Sequence, residues 1–122
     1  MSDQRMILEM GMGNSLHGMN YQKAAERAIN DALRHSTLTL FASTGLSSDE
    51  MRVQVTIGVQ EPEQLDTAAL ARCLPRGKAT VTAVKGGQNV ANPAANETHV
   101  IATAAIEAYL PSQAGHWRLR AT

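Results

Sequence analysis

The sequence predicts an α+β domain in which one β-sheet is covered on one face by two helices, in the order β-α-β-α-β-β. Three observations lead to this prediction. Several segments alternate apolar and polar residues with a period of two, as half-buried strands do. One segment of about fifteen residues repeats its apolar positions at helical spacing. A chain of 122 residues holds one ordinary domain, which we expect to cover residues 1–110, with residues 111–122 as a C-terminal tail.

The first strand and first helix are predicted at the start of the chain. The strand covers residues 4–12, where the apolar side consists of Met6, Leu8, Met10 and Met12. Its other side consists of Arg5, Ile7, Glu9 and Gly11. Residues 11–20 are rich in Gly and Asn and are predicted to form a loop. Asn20 is the predicted N-cap of a helix to about residue 35, whose apolar stripe consists of Ala24, Ala25, Ala28, Ile29, Ala32 and Leu33.

The later elements follow the same two periodicities. Residues 51–60 alternate most cleanly and predict the second strand. Asp66 is the predicted N-cap of a short helix, which Pro75 and Gly77 end. Further strands are predicted over residues 78–85 and 98–110, with a turn-rich loop over residues 86–97 between them. Residues 37–41 fit a short strand, but the segment is ambiguous.

The apolar side of the sheet is expected to meet the helices, which leaves a polar side uncovered. The polar residues assigned to that open side are Arg5, Glu9, Arg52, Gln54, Thr56, Thr80, Thr82, Thr103 and Glu107. Such a face is either solvated or packed against other subunits. The sequence leaves both possibilities open.

Composition excludes several classes of function. The net charge is zero, which disfavours nucleic acid and anionic membrane surfaces as partners. The longest apolar runs fall short of a membrane span, and a polar start does not resemble a secretory signal, so we expect a cytoplasmic protein. One cysteine, Cys73, makes neither an internal disulfide nor a thiolate metal site, and we expect no metal or cofactor. With 19 alanines and four aromatic residues, the core is modest, which favours a homo-oligomer.

The segment GMGNSLHG, residues 11–18, is the strongest candidate for a ligand site. Glycines allow close approach to a ligand, and the start of a helix offers free N–H groups to a phosphate or carboxylate. The spacing fits neither a dinucleotide fingerprint nor a P-loop. The alternative, which generic sequences of this kind favour, is an ordinary turn between strand and helix that needs glycines. On the ligand hypothesis, the substrate-binding residues are Gly11, Gly13, Asn14, Gly18 and Arg27.

Acid–base chemistry would fall to His17, since histidine side chains exchange protons near neutral pH. The alternative is a loop histidine that hydrogen-bonds to the backbone. Ser15 lies two residues away, but the orienting acid that a nucleophilic serine needs is not identifiable. Lys23 could hold a carboxylate or stabilise developing negative charge. With Arg27 and Asp31 it also fits a solvated stripe of charges along the helix.

Two carboxylates, Glu9 and Glu107, complete the set of candidate groups. Either one could support His17, and the predicted set of catalytic residues is His17, Lys23, Ser15 and Glu9. The alternative is that these carboxylates form salt bridges with Arg5 and Arg52, which share their predicted face.

The stretch LEMGMGNSLHGMNYQKAAERAINDAL resembles the N-terminal signature of a family of small conserved hypothetical proteins from bacteria and archaea, known mainly by a Listeria locus tag. The pattern is G-x-G-x-D-x-H-G followed by a helix with K-A-A, an Arg and an Asp. The matching residues are Gly11, Gly13, His17, Gly18, Lys23, Ala24, Ala25, Arg27 and Asp31. The resemblance extends over about residues 5–110, and Ser15 stands where the family tends to have an acid. It implies that His17 and Lys23 matter, but it assigns no activity.

These observations together favour a small-molecule enzyme, or a decayed relative of one, that uses acid–base chemistry on a small polar or anionic substrate. We expect its site at the glycine–histidine segment, near a subunit boundary. The alternative is a non-catalytic oligomeric binding or partner protein. A more distant alternative is a cyclic-amide hydrolase, because Lys85-Gly86-Gly87 resembles faintly a lysine beside glycines in ring-opening amidohydrolases.

Overall fold

A computed structural model describes residues 3–35 and 45–115. The strands are β1 (Asp3–Ser15), β2 (Arg52–Val59), β3 (Lys78–Lys85), β4 (Gln88–Asn92) and β5 (Glu97–Pro111). The helices are α1 (Tyr21–Leu33) and α2 (Thr67–Ala71). The predicted α+β class, with helices packed on one face of a single sheet, is confirmed. The predicted strand at residues 37–41 and the end of the tail, residues 116–122, lie outside the described ranges.

The sheet is organised around β5, its longest strand. The order is β1-β5-β2-β3, with β1 and β2 antiparallel to β5 and with β3 parallel to β2. The prediction of a loop over residues 86–97 is wrong, because this segment contains β4. Its five residues lack alternation, and the strand forms because β5 continues beyond the end of β2. The first residues of β5, from Glu97 to Ile101, therefore have a free edge on which β4 pairs.

The core lies between the sheet and α1, as the two periodicities predict. Alternate residues of β2 and β5 are buried together with the alanine stripe of α1. Both predicted N-caps are confirmed: the side chain of Asn20 accepts a hydrogen bond from Lys23 N–H at 3.0 Å, and that of Asp66 accepts one from Ala69 N–H at 3.0 Å. In the described part of the chain, neither helix has the length and apolarity that crossing a membrane requires.

Strand β1 differs from the prediction in its length and in the face it buries. It extends to Ser15, so residues 11–15 belong to the strand and not to a loop. Its large apolar side chains point away from the helices, with 64% of Met10 and 52% of Met12 exposed. The prediction that this side of the strand meets the helices is therefore wrong.

The physical reason is how closely α1 approaches β1. A Cβ atom on Gly13 would lie 2.4 Å from the backbone nitrogen of Ala28, and one on Gly11 would lie 2.5 Å from that of Ala32. Such distances leave no room for any side chain, so only the glycine side of β1 can face the helix. The alternation correctly predicts the strand, but the side with less apolar bulk is the covered one.

Glu9 follows the glycines to the helix side of the sheet, where it pairs with the buried Ile106. The prediction that it shares the open face with Glu107 is therefore wrong. A register shift between Arg5 and Ile7 separates the two ends of the strand. Because of this bulge, the side chain of Arg5 lies on the open face and contacts Glu107, whereas Glu9 lies on the helix side.

Candidate functional site

The candidate site lies at the end of β1, where the chain turns into α1. Ser15 is buried, with 3% of its surface exposed. Its hydroxyl donates to the carbonyl oxygen of His17 at 3.1 Å and accepts a hydrogen bond from the Asn20 N–H at 3.1 Å. Gly18 and Met19 complete the turn with φ values of +79° and +48°. The Ser15 proton is thus directed to a backbone carbonyl, which gives the residue a role in shaping the turn.

His17 contacts a carboxylate, that of Glu97, which is not among the predicted site residues. Its Nδ1 lies 3.0 Å from Oε1 of Glu97, the first residue of β5. The His17 side chain is 79% exposed, and Nε2 has no hydrogen-bond partner within the described residues. A carboxylate beside Nδ1 favours the proton on that nitrogen, which leaves Nε2 as the atom that can accept a proton from a bound molecule.

The antiparallel pairing of β1 with β5 accounts for this contact. Ser15 pairs with Val100, so the residues after Ser15 come beside those just before Val100. His99 also contacts this turn, since its Nδ1 lies 3.1 Å from the carbonyl oxygen of Leu16. Glu97 could have been found in the sequence only if β1 and β5 were already known to be neighbours.

Lys23 provides positive charge close to this turn. It lies in the first turn of α1, and its ammonium group makes no ion pair with the other described residues. A cation at the N-terminal end of a helix is slightly unfavourable because the helix dipole is positive there. A bound anion would offset this unfavourable interaction between the Lys23 ammonium group and the helix dipole.

The charged row that continues along α1 has a structural role. Arg27 donates to the carbonyl oxygen of Asn14 at 2.8 Å, and the carboxylate of Asp31 accepts a hydrogen bond from the N–H of Met12 at 3.0 Å. His35 Nδ1 lies 3.1 Å from the carbonyl oxygen of Met10. These side chains satisfy backbone groups on the outer edge of β1, an edge that would otherwise be open to another strand.

Three of the predicted site residues are not brought to His17. Gly11 and Gly13 lie beneath the backbone of α1. A carboxylate oxygen of Glu9 lies 3.9 Å from Nδ1 of His35, and the six residue steps of strand from Glu9 to Ser15 span about 20 Å. The site therefore brings together His17, Gly18 and Glu97, and Lys23 follows in the first turn of α1. Asn14, the residue before Ser15, is joined to Arg27 by a hydrogen bond.

The second predicted carboxylate belongs to a separate cluster at the opposite end of the sheet. Tyr109 donates to Glu107 at 2.9 Å and Arg5 lies 3.1 Å from the same oxygen, which confirms the salt-bridge alternative for Glu107. The hydrogen bond from Tyr109, followed by that from Arg5, lowers the pKa of Glu107 below its usual value. Arg52 stacks 4.1 Å from the centre of the Tyr109 ring and pairs with Asp3 at 3.1 Å.

A further polar contact lies under the first turn of α1. The hydroxyl of Tyr21, a residue with 3% of its surface exposed, accepts a hydrogen bond from Asn89 of β4 at 2.8 Å. Burial, together with the neighbouring carboxylate of Glu61, raises the pKa of Tyr21. This contact joins the first turn of α1 to β4. Across residues 3–35 and 45–115, no three histidine, cysteine or acidic side chains are grouped for a metal ion.

Comparison with known proteins agrees with this fold. The chain is similar to an FtsZ-like protein of unknown function from Nostoc punctiforme PCC 73102, with 35% identity and a TM-score of 0.79. The similarity covers 92% of this chain and 99% of that one. No curated protein matches the sequence. The family profile described as conserved hypothetical protein (Lin0512_fam) matches residues 5–108, and the chain therefore belongs to that family.

Proposed function

We propose that the protein is a small-molecule enzyme in which His17 exchanges a proton with a small polar or anionic substrate. The observation that carries this proposal is the contact of 3.0 Å between His17 Nδ1 and Glu97, combined with an imidazole that is 79% exposed. A carboxylate that holds one ring nitrogen protonated leaves the other free to act as a base. This support replaces the one first expected from Glu9.

Positive charge near the turn favours an anionic substrate. The Lys23 ammonium group is exposed and has no ion pair among the described residues, and it lies beside the N-terminus of α1. A carboxylate or phosphate that approaches His17 from solvent would be attracted to both features. Asn14, Gly18 and Arg27 border the same approach and are the proposed substrate-binding residues. Gly11 and Gly13 contribute by holding α1 against β1.

The alternative is a non-catalytic oligomeric binding or partner protein. One specific observation supports it, namely that the Ser15 hydroxyl is fully used by the turn where the resembling family tends to have an acid. On either reading we propose a cytoplasmic homo-oligomer, and on the enzyme reading the small molecule binds near a subunit boundary. The cytoplasmic location rests on composition alone.

The test is a thermal-shift screen of the wild type with small carboxylates, phosphates, linear amides and cyclic imides. The variants are His17→Gln and Glu97→Gln. The matched control is His35→Gln, because His35 is also a partly exposed histidine beside carboxylates but lies at the far end of α1. Cyclic imides test the more distant amide-hydrolase alternative.

The proposal predicts that at least one compound raises the unfolding temperature of the wild type and of His35→Gln but not of His17→Gln. A compound class that behaves in this way should then be turned over by the wild type, more slowly by Glu97→Gln and not by His17→Gln. Binding without turnover would select the non-catalytic alternative. Stabilisation that persists in His17→Gln would contradict a site at this turn.

A further inference from the structure

The open face of the sheet carries an uncovered apolar row along β1. This apolar row consists of Leu8, Met10 and Met12, which are 45%, 64% and 52% exposed. Exposed side chains of this size normally occur singly on a monomeric protein. Here they are consecutive on one face of one strand, so a partner surface is needed to explain them.

The shape of the neighbouring strands favours a second copy of the same face. Met10 pairs across the sheet with Ala105, which pairs with Thr56. Thr56 in turn pairs with Thr82 of β3. At the level of Met10 the long side chain at the edge is thus followed by three short ones, whereas Leu8 stands beside the longer Glu107 and Gln54. When two such faces pack with opposite orientation, the long row of each fills the shallow part of the other.

The edge of β1 is closed, which leaves only the face available. Arg27, Asp31 and His35 occupy backbone groups of Asn14, Met12 and Met10 along that edge. A strand from another chain would have to displace these side chains in order to extend the sheet. Association through the apolar row therefore proceeds face to face.

The charges on the open face also suit self-association. A face that meets its own copy is repelled if it carries a net charge. Four of the five charged groups at the end of this face form two internal pairs, Arg5 with Glu107 and Arg52 with Asp3, and Lys78 beside Arg52 leaves a charge of only +1 at the margin of the face. A partner with a strong charge of either sign would gain nothing from such a surface.

The area of the open face can be compared with the area that a stable interface buries. Four neighbouring strands of about eight residues span an area of roughly 20 by 26 Å, which is about 500 Å² in projection. The side chains that stand on this area add accessible surface to it, and a stable interface buries roughly 800 Å² per partner.

We propose that the open face of the sheet, centred on Leu8, Met10 and Met12, is the interface between two copies of this chain packed face to face. The surface does not depend on the chemistry of His17. The apolar row nevertheless ends near the His17 turn, because Leu16, four residues after Met12 and directly before His17, is also exposed, at 47%.

The test is the solution mass of the wild type, Met10→Lys and Asn30→Lys by sedimentation equilibrium at several protein concentrations. Asn30 is an exposed residue of α1, on the opposite side of the molecule, and its variant introduces the same charge. The proposal predicts a mass of at least twice 13.1 kDa for the wild type and for Asn30→Lys. A charge buried in the interface should weaken association of Met10→Lys by about a hundredfold or more.

A wild type of 13.1 kDa at every concentration would overturn the proposal. So would a Met10→Lys variant that associates as tightly as the wild type. If that variant does not fold, the methyl groups of the wild-type methionines still decide the question by NMR with a soluble paramagnetic agent. Met10 and Met12 should be protected from the agent, and relaxation typical of a solvent-exposed methyl group at both would overturn the interface.

Discussion

The two sides of strand β1 differ in both side-chain size and exposure. One side presents Gly11, Gly13 and Ser15 to α1, at a separation that excludes even a methyl group on the glycines. The other side presents Leu8, Met10 and Met12, each about half exposed. The side with almost no side chains is covered, and the side with the longest ones is open.

This difference teaches that the covered side was selected by shape. A row of alanines on α1 lies directly on the glycines, so the backbones of helix and strand are in contact. Such contact gains dispersion energy over many atoms, although little side-chain area is buried. Gly11 and Gly13 of the GMGNSLHG segment are therefore structural, whereas His17 near its end is exposed to solvent.

The largest expected effect comes from adding one carbon to the covered side. Gly13→Ala places a Cβ 2.4 Å from Ala28 N and 2.5 Å from Ala24 O, both of which are backbone atoms that can move only with the helix. We expect the free energy of unfolding to fall by about 2–3 kcal/mol. Chemical denaturation measures this change, with Asn14→Ala as the control because that side chain points to the open side. Equal stability of the two variants would mean that the helix is not in contact with the strand.

A smaller effect is expected where α1 holds the edge of β1. Asp31→Ala removes the acceptor for Met12 N–H and should lower the free energy of unfolding by about 1 kcal/mol. Asn30→Ala is the control on the same helix. If the edge is left open, the variant should also aggregate more readily at high concentration, which light scattering would detect. A variant as stable and as soluble as the control would contradict the capping role.

Substitutions on the open side of β1 should have little effect on the free energy of unfolding. At concentrations at which the chain is monomeric, Met12→Gln should alter the free energy of unfolding by less than about 0.5 kcal/mol, because the side chain is 52% exposed. The same denaturation experiment measures it. A loss as large as that of Gly13→Ala would mean that the apolar row packs within its own chain.

The smallest effect concerns the charged end of the open face. Folding lowers the pKa of Glu107 from its usual 4.5, mainly through the hydrogen bond from Tyr109. The folded state therefore binds this proton less readily than the unfolded state. The resulting stabilisation is present above pH 4.5 and is lost as the pH falls through the lowered value.

The measurement is the unfolding midpoint of the wild type and of Glu107→Gln as the pH is lowered. We expect a slightly more stable wild type at neutral pH and a difference that closes in acid, since exposed pairs contribute little. Tyr109→Phe should reduce the pH dependence. A difference in stability between the wild type and Glu107→Gln that grows as the pH falls would contradict a lowered pKa of Glu107.

The sequence was sufficient for the elements whose pattern is local. The alternation in β2 and β5, the alanine stripe and the caps Asn20 and Asp66 all depend on neighbours within a few residues. The burial side of β1 was not predictable, because hydrophobicity favours the methionines and only the approach of α1 reverses that preference. Strand β4 and the partner Glu97 depend on where β5 pairs, which is a long-range property. His17 could be selected from the sequence, but its carboxylate could not.

The central claim is that His17, oriented by Glu97, is the group that meets a ligand. Long-range ¹H–¹⁵N spectra of the histidine side chains test it most directly, with the compounds selected by the thermal-shift screen added in turn. Our account predicts that the ring signals of His17 shift on ligand binding while those of His35 stay unchanged. A ligand that stabilises the protein and shifts His35, or leaves His17 unperturbed, would contradict it.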